Sequence, residues 1–122
     1  MKAFSTAIVL AVSACLVSAE TLKGPVILNT LDFNTQVVEN GVTKGTTPWF
    51  IKFYAPWCGH CKRMADDWGL FADKHRAAGD LNVGKIDCTA DEGKAICQEF
   101  EVRGYPTLLF FPITPAKEGS TN

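Results

Sequence analysis

The residues best suited to chemistry are two cysteines three positions apart, Cys58 and Cys61. A thiolate at one cysteine can attack the sulfur of a disulfide, and a second thiol one helical turn further along can attack the mixed disulfide that forms. The spacing therefore predicts a complete cycle of thiol–disulfide exchange that needs no cofactor. Gly59 leaves the approach to the sulfurs open, and His60 can add positive charge beside the thiolate.

A plain structural disulfide, or half of a zinc site, could use the same spacing. Zinc would need Cys88 and Cys97 as its second half, but they are nine residues apart rather than three. The context favours exchange, because Cys58 falls where a predicted strand enters a predicted helix, whose first amides are unbonded and partly positive. Such settings lower a cysteine pKa from about 8.5 to roughly 3.5–7.5. We expect Cys58 to be largely ionised near neutral pH, and we expect no metal.

The elements that must position this pair are predicted from hydrophobic patterning. Apolar runs rich in β-branched and aromatic residues indicate strands, and apolar residues three or four apart indicate helices. Strands are predicted at 26–28, 49–54, 81–87 and 107–111. Helices are predicted at 32–39, after the start candidates Asn29 and Thr30, at 58–77, and after residue 89, where Thr89-x-x-Glu92 has the pattern of a capping box. Residues 41–48 are predicted to form a loop. This alternation favours an α/β layered domain with helices on both faces of a small sheet.

The first 19 residues have the layout of a cleavable signal peptide. Lys2 precedes an apolar core at 7–12, and the segment ends in Val17-Ser18-Ala19. The core is too short to span a bilayer of about 30 Å. We expect cleavage after Ala19, which leaves residues 20–122 as one small domain in the endoplasmic reticulum lumen or outside the cell.

Charge and cysteine content narrow the partners. The chain has 12 basic and 13 acidic residues, a net charge of −1, and no basic run, so nucleic acid and membrane surfaces are not expected partners. Cys15 would leave with the signal peptide, and the four remaining cysteines suggest pairing in an oxidising compartment. Cys88 and Cys97 could form a short-loop structural disulfide if their α-carbons lie within about 7 Å; the alternative is two buried free thiols.

Two motifs carry a resemblance to a known family: Phe53-Tyr54-Ala55-Pro56-Trp57-Cys58-Gly59-His60-Cys61-Lys62 and Val102-Arg103-Gly104-Tyr105-Pro106-Thr107. Together they resemble a catalytic domain of the protein disulfide isomerase family, and the similarity runs from Val26 to Phe111. Among its members, the chain most resembles those of the endoplasmic reticulum with several thioredoxin domains, because 50–54 and 87–89 match as well. The resemblance implies a thioredoxin-like fold, an α/β domain with a central mixed sheet flanked by helices on both faces.

The resemblance also implies roles for individual residues. The first cysteine attacks the substrate sulfur, and Cys61 resolves the mixed disulfide. Pro106 corresponds to a cis-proline beside the active site, and Tyr105 would present its backbone to a bound peptide. Trp57 would lie beside the disulfide as part of an apolar substrate surface, unless it is an ordinary core residue. Arg103 would lie near the buried cysteine and assist its ionisation; an exposed loop arginine is the alternative.

Three positions depart from the family pattern. Lys52 stands where many members carry a glutamate that accepts the proton of the second cysteine; a neutral buried lysine could do the same, whereas one that reaches water would play no part. Asp66 replaces a proline that kinks the active-site helix, so we expect a straighter helix. Residues 108–111 predict a strand buried on both faces, but only residues 112–122 follow it. We therefore expect the last strand and helix to be missing, and the sequence to be a fragment or a short variant that needs a partner.

These observations favour one function over a second. The first is an enzyme that makes, breaks or rearranges disulfides in unfolded or partly folded secretory proteins, recycled by glutathione or an upstream thiol oxidase. The second is a binding or chaperone module that uses the apolar surface around Trp57 and Tyr105 without catalysis.

Overall fold

The computed structural model describes residues 23–39 and 42–113. The predicted signal peptide lies outside them, as do residues 114–122, on which the predicted loss of the last strand and helix depends. The elements are β1 (Val26–Leu28), α1 (Thr30–Asp32, continued by a π-helical turn at Phe33–Val37), β2 (Val38–Glu39), β3 (Val42–Thr43), β4 (Trp49–Tyr54), α2 (Gly59–Ala78), β5 (Asn82–Asp87), α3 (Asp91–Glu99) and β6 (Thr107–Phe111). Within the described residues, no helix could cross a membrane.

Four strands form one sheet in the order β1-β5-β4-β6. The first three are parallel, and β6 runs antiparallel to β4. Strands β2 and β3 form a separate two-stranded antiparallel ribbon. Because successive side chains of a strand point to opposite faces, β4 contributes to the packing on both sides of the sheet. The predicted mixed sheet with helices on both faces is confirmed.

The two faces of the sheet carry different cores. The larger core lies on the side of α1 and α3 and comprises Leu28, Phe33, Val37, Trp49, Ile51, Phe53, Ile86, Cys88, Ile96 and Cys97. The smaller core lies under α2, where Trp68 and Ala72 pack against Val83 and Trp68 Nε1 donates a hydrogen bond to the Gly84 carbonyl at 3.2 Å. Burying one such large apolar side chain stabilises the fold by about 1.5–3 kcal/mol, so α2 is anchored to the sheet.

The first helical segment differs from its prediction. Asn29 caps it, since its side chain accepts the Asp32 N–H at 2.8 Å. The helix ends at Val37 rather than 39, and the chain then forms the β2–β3 ribbon, with Val38 opposite Thr43. The prediction of a loop throughout 41–48 was therefore wrong at its start, because a two-residue strand is too short to show a period.

The capping box predicted for α3 was also wrong. Ala90 is the N-cap residue, and no side chain caps this helix. Thr89 instead turns back to the end of β5, where its N–H and Oγ1 both donate to the Asp87 carboxylate, at 2.8 and 2.7 Å. Asp87 thus competes successfully with the helix for the threonine hydroxyl.

The last described strand is partly buried on one face and exposed on the other, rather than buried on both faces as predicted. Leu109 and Phe111 pack against the larger core. Leu108 and Phe110, which alternate with them, are exposed on the α2 side of the sheet, where the Phe110 ring lies edge to face with Phe50 at a centroid distance of 6.3 Å. In the described part of the chain, β6 pairs with β4 alone.

Candidate active site

The local backbone places Cys58 at the start of α2. After β4 ends at Tyr54, the Cys58 N–H donates to the Ala55 carbonyl at 3.1 Å, which closes a tight turn. Cys58 is the N-cap residue, with extended backbone angles, and its carbonyl accepts the Lys62 N–H at 3.0 Å. The helix continues without interruption through Asp66 to Ala78. The Cys58 sulfur therefore lies against the unbonded amides of a long helix.

These amides lower the pKa of Cys58 below its ordinary value. The largest cause is a hydrogen bond from the backbone N–H of Cys61, followed by one from the Cys61 thiol. Partial burial opposes them, and the backbone N–H of His60 and the charge of Arg63 add to them. Each donor favours the thiolate over the thiol, so Cys58 is suited to be the attacking nucleophile.

Cys61 has the opposite electrostatics, although it lies one turn away. Burial raises its pKa most strongly, and the thiol and charge of Cys58 raise it further. A backbone hydrogen bond from Ala55 and the charge of Lys52 lower it. Both cysteines are free thiols. The pair therefore consists of one readily ionised sulfur and one sulfur that keeps its proton until the other is consumed.

Arg63 supplies positive charge near Cys58. Its Nη2 atom lies 2.7 Å from Nδ1 of His60, one turn earlier on the exposed surface of α2. Because a guanidinium can only donate, Nδ1 accepts this hydrogen bond. Arg63 is a source of positive charge that the sequence analysis did not name, and His60 contributes its backbone N–H to Cys58; the positive charge expected of the His60 imidazole stays a prediction.

A second segment closes the site from the other side. The Tyr105–Pro106 peptide bond is cis, and the Tyr105 carbonyl accepts a hydrogen bond from Cys58 Sγ at 3.4 Å. The Tyr105 ring meets the edge of the Trp57 ring at 5.7 Å. Trp57 is 68% exposed, so the core alternative for this residue was wrong. The two rings form an apolar surface directly beside the Cys58 sulfur.

Lys52 lies beneath the pair, on the α2 face of β4, and is only 3% exposed. Its Nζ atom lies over the rings of Tyr54 and Trp68, 5.5 and 5.8 Å from their centroids. Burial lowers its pKa, and the charge of Lys85 lowers it further. The lysine therefore does not extend to solvent, which was one of the two alternatives left open by the sequence.

Arg103 and the second cysteine pair lie on a neighbouring groove of about 480 Å³. Cys88 and Cys97 are joined in a disulfide, with α-carbons 5.7 Å apart, so they cannot complete a zinc site with Cys58 and Cys61. Arg103 is exposed and, among the described residues, forms no hydrogen bond or ion pair. No cluster of potential metal ligands occurs in residues 23–39 and 42–113.

Sequence reasoning missed three contributors to the site. Arg63 follows His60 at a spacing of three, which on a helix places the two side chains together, so its role was accessible from the pattern. The hydrogen bond from the Ala55 backbone to Cys61 depends on the conformation of the turn after β4, which the sequence pattern does not show. Lys85 lies opposite Lys52 in the strand register, and that register cannot be read from composition.

Comparison with known proteins places these features in context. The sequence profile of the family described as Thioredoxin matches residues 25–120. Protein disulfide-isomerase 1 of Dictyostelium discoideum is 41% identical over 95 residues, which cover 76% of this chain and 24% of that protein. Protein disulfide-isomerase A2 of Mus musculus is 48% identical over 69 residues, covering 57% of this chain and 12% of that protein. The chain thus spans a quarter or less of these relatives.

Comparison with solved structures gives the same result as the sequence comparison. Full-length ERdj5 superposes with a TM-score of 0.66 and 29% identity, covering 79% of this chain and 13% of that one. The Trx4 domain of ERdj5 gives 0.59 and 32%, covering 71% and 68%. These matches confirm the resemblance carried by the two motifs, and the Trx4 domain agrees with the placement among members with several thioredoxin domains.

Proposed function

The chain belongs to the thioredoxin family, and on that premise we propose that it is a thiol–disulfide oxidoreductase of the protein disulfide isomerase type. The observation that carries the proposal is the placement of two free cysteines at the start of α2, with Cys58 as the N-cap residue and Cys61 buried in the first turn. In keeping with this placement, helix amides lower the pKa of Cys58 and burial raises that of Cys61. A thiolate poised to attack, beside a thiol held in reserve, is what exchange chemistry requires.

The exchange cycle has two steps. The Cys58 thiolate attacks one sulfur of a substrate disulfide, forms a mixed disulfide, and releases the other substrate sulfur as a thiolate. Cys61 then loses its proton and attacks Cys58, forming the Cys58–Cys61 disulfide and releasing the second substrate thiolate. The substrate is reduced by two electrons and the pair is oxidised; the reverse sequence oxidises a substrate dithiol.

The substrates we propose are cysteine-containing proteins that are still unfolded or partly folded in the endoplasmic reticulum lumen. The exposed ring of Trp57 and the partly buried ring of Tyr105 support this choice, since they meet edge to face and offer an apolar surface beside the reactive sulfur. The predicted signal peptide and the names of the relatives support the compartment. Glutathione or an upstream thiol oxidase would return the pair to the required redox state.

A second candidate function is a binding module that uses the same aromatic surface without catalysis. The contact of the exposed Trp57 ring with Tyr105 favours it, because a contiguous apolar patch can mark an interaction site. The two functions differ in what Cys58 contributes. A binder would hold unfolded clients equally well with serine at 58 and 61.

Refolding of scrambled ribonuclease tests the proposal directly. The chain is secreted from a eukaryotic host, so that a leader can be processed, and N-terminal sequencing reports whether cleavage follows Ala19. Circular dichroism shows whether the product is folded. In a glutathione buffer we expect ribonuclease activity to return with the chain and not with its Cys58→Ser variant, because the nucleophile is then absent.

Two controls separate the outcomes. Cys61→Ser should trap mixed disulfides with the substrate, visible as a covalent adduct that reducing agent dissolves. A folded chain that refolds no ribonuclease, forms no adduct, and still binds reduced ribonuclease would replace the enzyme with the binding module.

A further inference from the structure

A polar groove of about 480 Å³ runs along α3 beside the reactive pair. Tyr105 connects the groove to the active site, because the residue lines the groove and its carbonyl accepts the hydrogen bond from Cys58 Sγ at 3.4 Å. The groove volume is within the range of about 300–1,000 Å³ that ligand sites occupy. The groove can therefore receive part of a molecule whose sulfur reacts with Cys58.

The segment between α3 and β6, which forms one wall of the groove, is held at both ends. The Val102 N–H donates to the Cys97 carbonyl at 3.0 Å. Thr107 Oγ1 donates to the Gly104 carbonyl at 2.7 Å. Arg103 lies between these two contacts, so its backbone is in place before a ligand arrives. A wall that is already ordered lowers the entropic cost of binding.

Three charged residues line the groove, and their surroundings differ. Lys94 Nζ is already paired with the Asp91 carboxylate at 2.9 Å. Arg103 is exposed and forms no hydrogen bond or ion pair with another described residue. Glu101 is also exposed, but it lies two residues further from Tyr105 along the chain. Of the groove charges, the one closest in sequence to Tyr105 is thus an unpaired guanidinium, whose donors match the geometry of a carboxylate.

We propose that this groove binds an acidic side chain of the client protein near the client's reacting cysteine, with Arg103 pairing with the carboxylate, an inference that rests on the exchange function proposed above. Arg103 and Tyr105 are two residues apart, so their α-carbons are separated by at most about 7 Å. An extended client chain covers that distance in two residues. We therefore expect the acid two or three residues from the cysteine.

The two arginines near the site then have different parts. Arg63 acts on the enzyme, because its charge favours the thiolate of Cys58. Arg103 acts on the client, which it holds beside Cys58 without taking part in any bond change. Its replacement should therefore alter the choice between clients and leave the reaction of Cys58 with a small uncharged reagent as it was. Glu101 repels an acid bound in the groove, so it limits the same preference.

Short peptides that carry one cysteine as a mixed disulfide with a coloured aromatic thiol test the proposal. Attack by Cys58 on the peptide sulfur releases the aromatic thiolate, the better leaving group because its thiol has the lower pKa. Glutamate is placed one, two or three residues before or after the cysteine, and each peptide has a glutamine twin. Each rate is divided by that of the same peptide with a small uncharged thiol, which corrects for the peptide's own reactivity.

We expect glutamate two or three residues from the cysteine, on one side of it, to react about threefold to fivefold faster than its twin at low salt, near the upper limit for an exposed ion pair. Arg103→Gln should abolish the preference and Arg103→Lys should keep part of it. Glu101→Gln should increase it, and salt at about 1 M should remove most of it. Lys74→Gln is the matched control, because Lys74 is an exposed lysine on α2, and it should change nothing.

A rate ratio near one for every glutamate peptide and its twin, or the same preference in Arg103→Gln as in the unmodified chain, would overturn the inference and leave the exchange function intact. Lysine in place of glutamate should slow the reaction, and a lysine peptide as fast as the glutamate peptide would contradict the inference without any variant. Circular dichroism and the iodoacetamide rate of Cys58 show that each variant is folded.

Glutathione is the other source of a carboxylate close to a reacting sulfur. Its mixed disulfide with the same aromatic thiol is compared with that of its diester, which lacks the carboxylates. A preference for glutathione that depends on Arg103, with none for any peptide, would overturn the assignment to the client. Failure of the folded, unmodified chain to release colour from any peptide would instead overturn the proposed function.

Discussion

Two pairs of cysteines follow the ends of neighbouring parallel strands. Strands β4 and β5 finish side by side, with Tyr54 opposite Asp87, and each is followed by a helix. The exposed fractions are nearly equal, 7% and 3% for Cys58 and Cys61 against 8% and 5% for Cys88 and Cys97. Yet the first pair is a dithiol and the second a closed disulfide.

The difference lies in how each pair is connected to its helix. Cys58 caps α2 and Cys61 lies in its first turn, so the pair is local, and helix amides donate to the Cys58 sulfur. Cys97 lies well inside α3 and in the larger core, and its bond to Cys88 ties that helix to the end of β5. Helix position and electrostatics, rather than accessibility, thus distinguish a reactive pair from a structural one.

The largest expected effect is the difference in alkylation rate between Cys58 and Cys61, each measured in a variant that lacks the other thiol. In Cys61→Ser, iodoacetamide reports on Cys58; in Cys58→Ser, it reports on Cys61. At pH 7 we expect Cys58 to react faster than Cys61, by about tenfold for each unit that separates their pKa values, because the thiolate is the reactive form. The Cys58 rate should reach half its maximum at a lower pH than that of a free cysteine, and the Cys61 rate at a higher pH. Equal rates would remove the electrostatic distinction on which the comparison rests.

Removal of the second pair should affect stability and leave reactivity unchanged. Cys88→Ala combined with Cys97→Ala opens a loop with a sequence separation of 9, and the chain-entropy relation gives a loss of about 2.5 kcal/mol in the free energy of unfolding. Urea denaturation measures this loss. The alkylation rate of Cys58 in the folded variant should change by less than about twofold. A large change would show that the two pairs are coupled through the groove that Tyr105 and Cys88 share.

Most of the fold could be predicted because its elements carry strong periodic signals. The strand at 49–54 and the helix over 59–78 were placed to within a residue or so. The predictions failed where a residue formed a different local interaction from the one its pattern indicated. Thr89 prefers the carboxylate of Asp87 to the end of its own helix, and Val38 leaves its helix to pair with Thr43.

The features of the candidate site also differ in whether the sequence could predict them. Sequence spacing is enough to put Cys61 one turn after Cys58, because both lie on one helix. It cannot show that Lys52 lies opposite Lys85, which depends on strand register. Nor can it show that Leu108 and Phe110 are exposed, because an apolar strand reads the same whether one or both faces are covered.

The first turns of α2 and α3 also differ in how closely the surrounding structure packs against them. Substitution of one glycine in each turn tests this difference. A Cβ atom at Gly93 in α3 would lie 2.1 Å from the Asp87 carbonyl oxygen, whereas one at Gly59 in α2 would meet nothing within 4 Å. Because the obstacle is backbone, α3 must move, and we expect Gly93→Ala to cost about 2 kcal/mol in the free energy of unfolding. Gly59→Ala should change it by less than about 0.5 kcal/mol. Equal costs would mean that α3 is free to shift from β5.

The smallest expected effect concerns which arginine assists the reactive thiol. Arg63 lowers the pKa of Cys58, so Arg63→Gln should raise it and slow alkylation at pH 7 by about twofold to threefold. The interaction is exposed, hence 1 M salt should remove most of the difference. Arg103→Gln is the matched control and should leave the Cys58 rate unchanged. If Arg103→Gln slows Cys58 and Arg63→Gln does not, the assisting charge comes from the loop before the cis-proline, and α2 alone does not set the ionisation of its own N-cap residue.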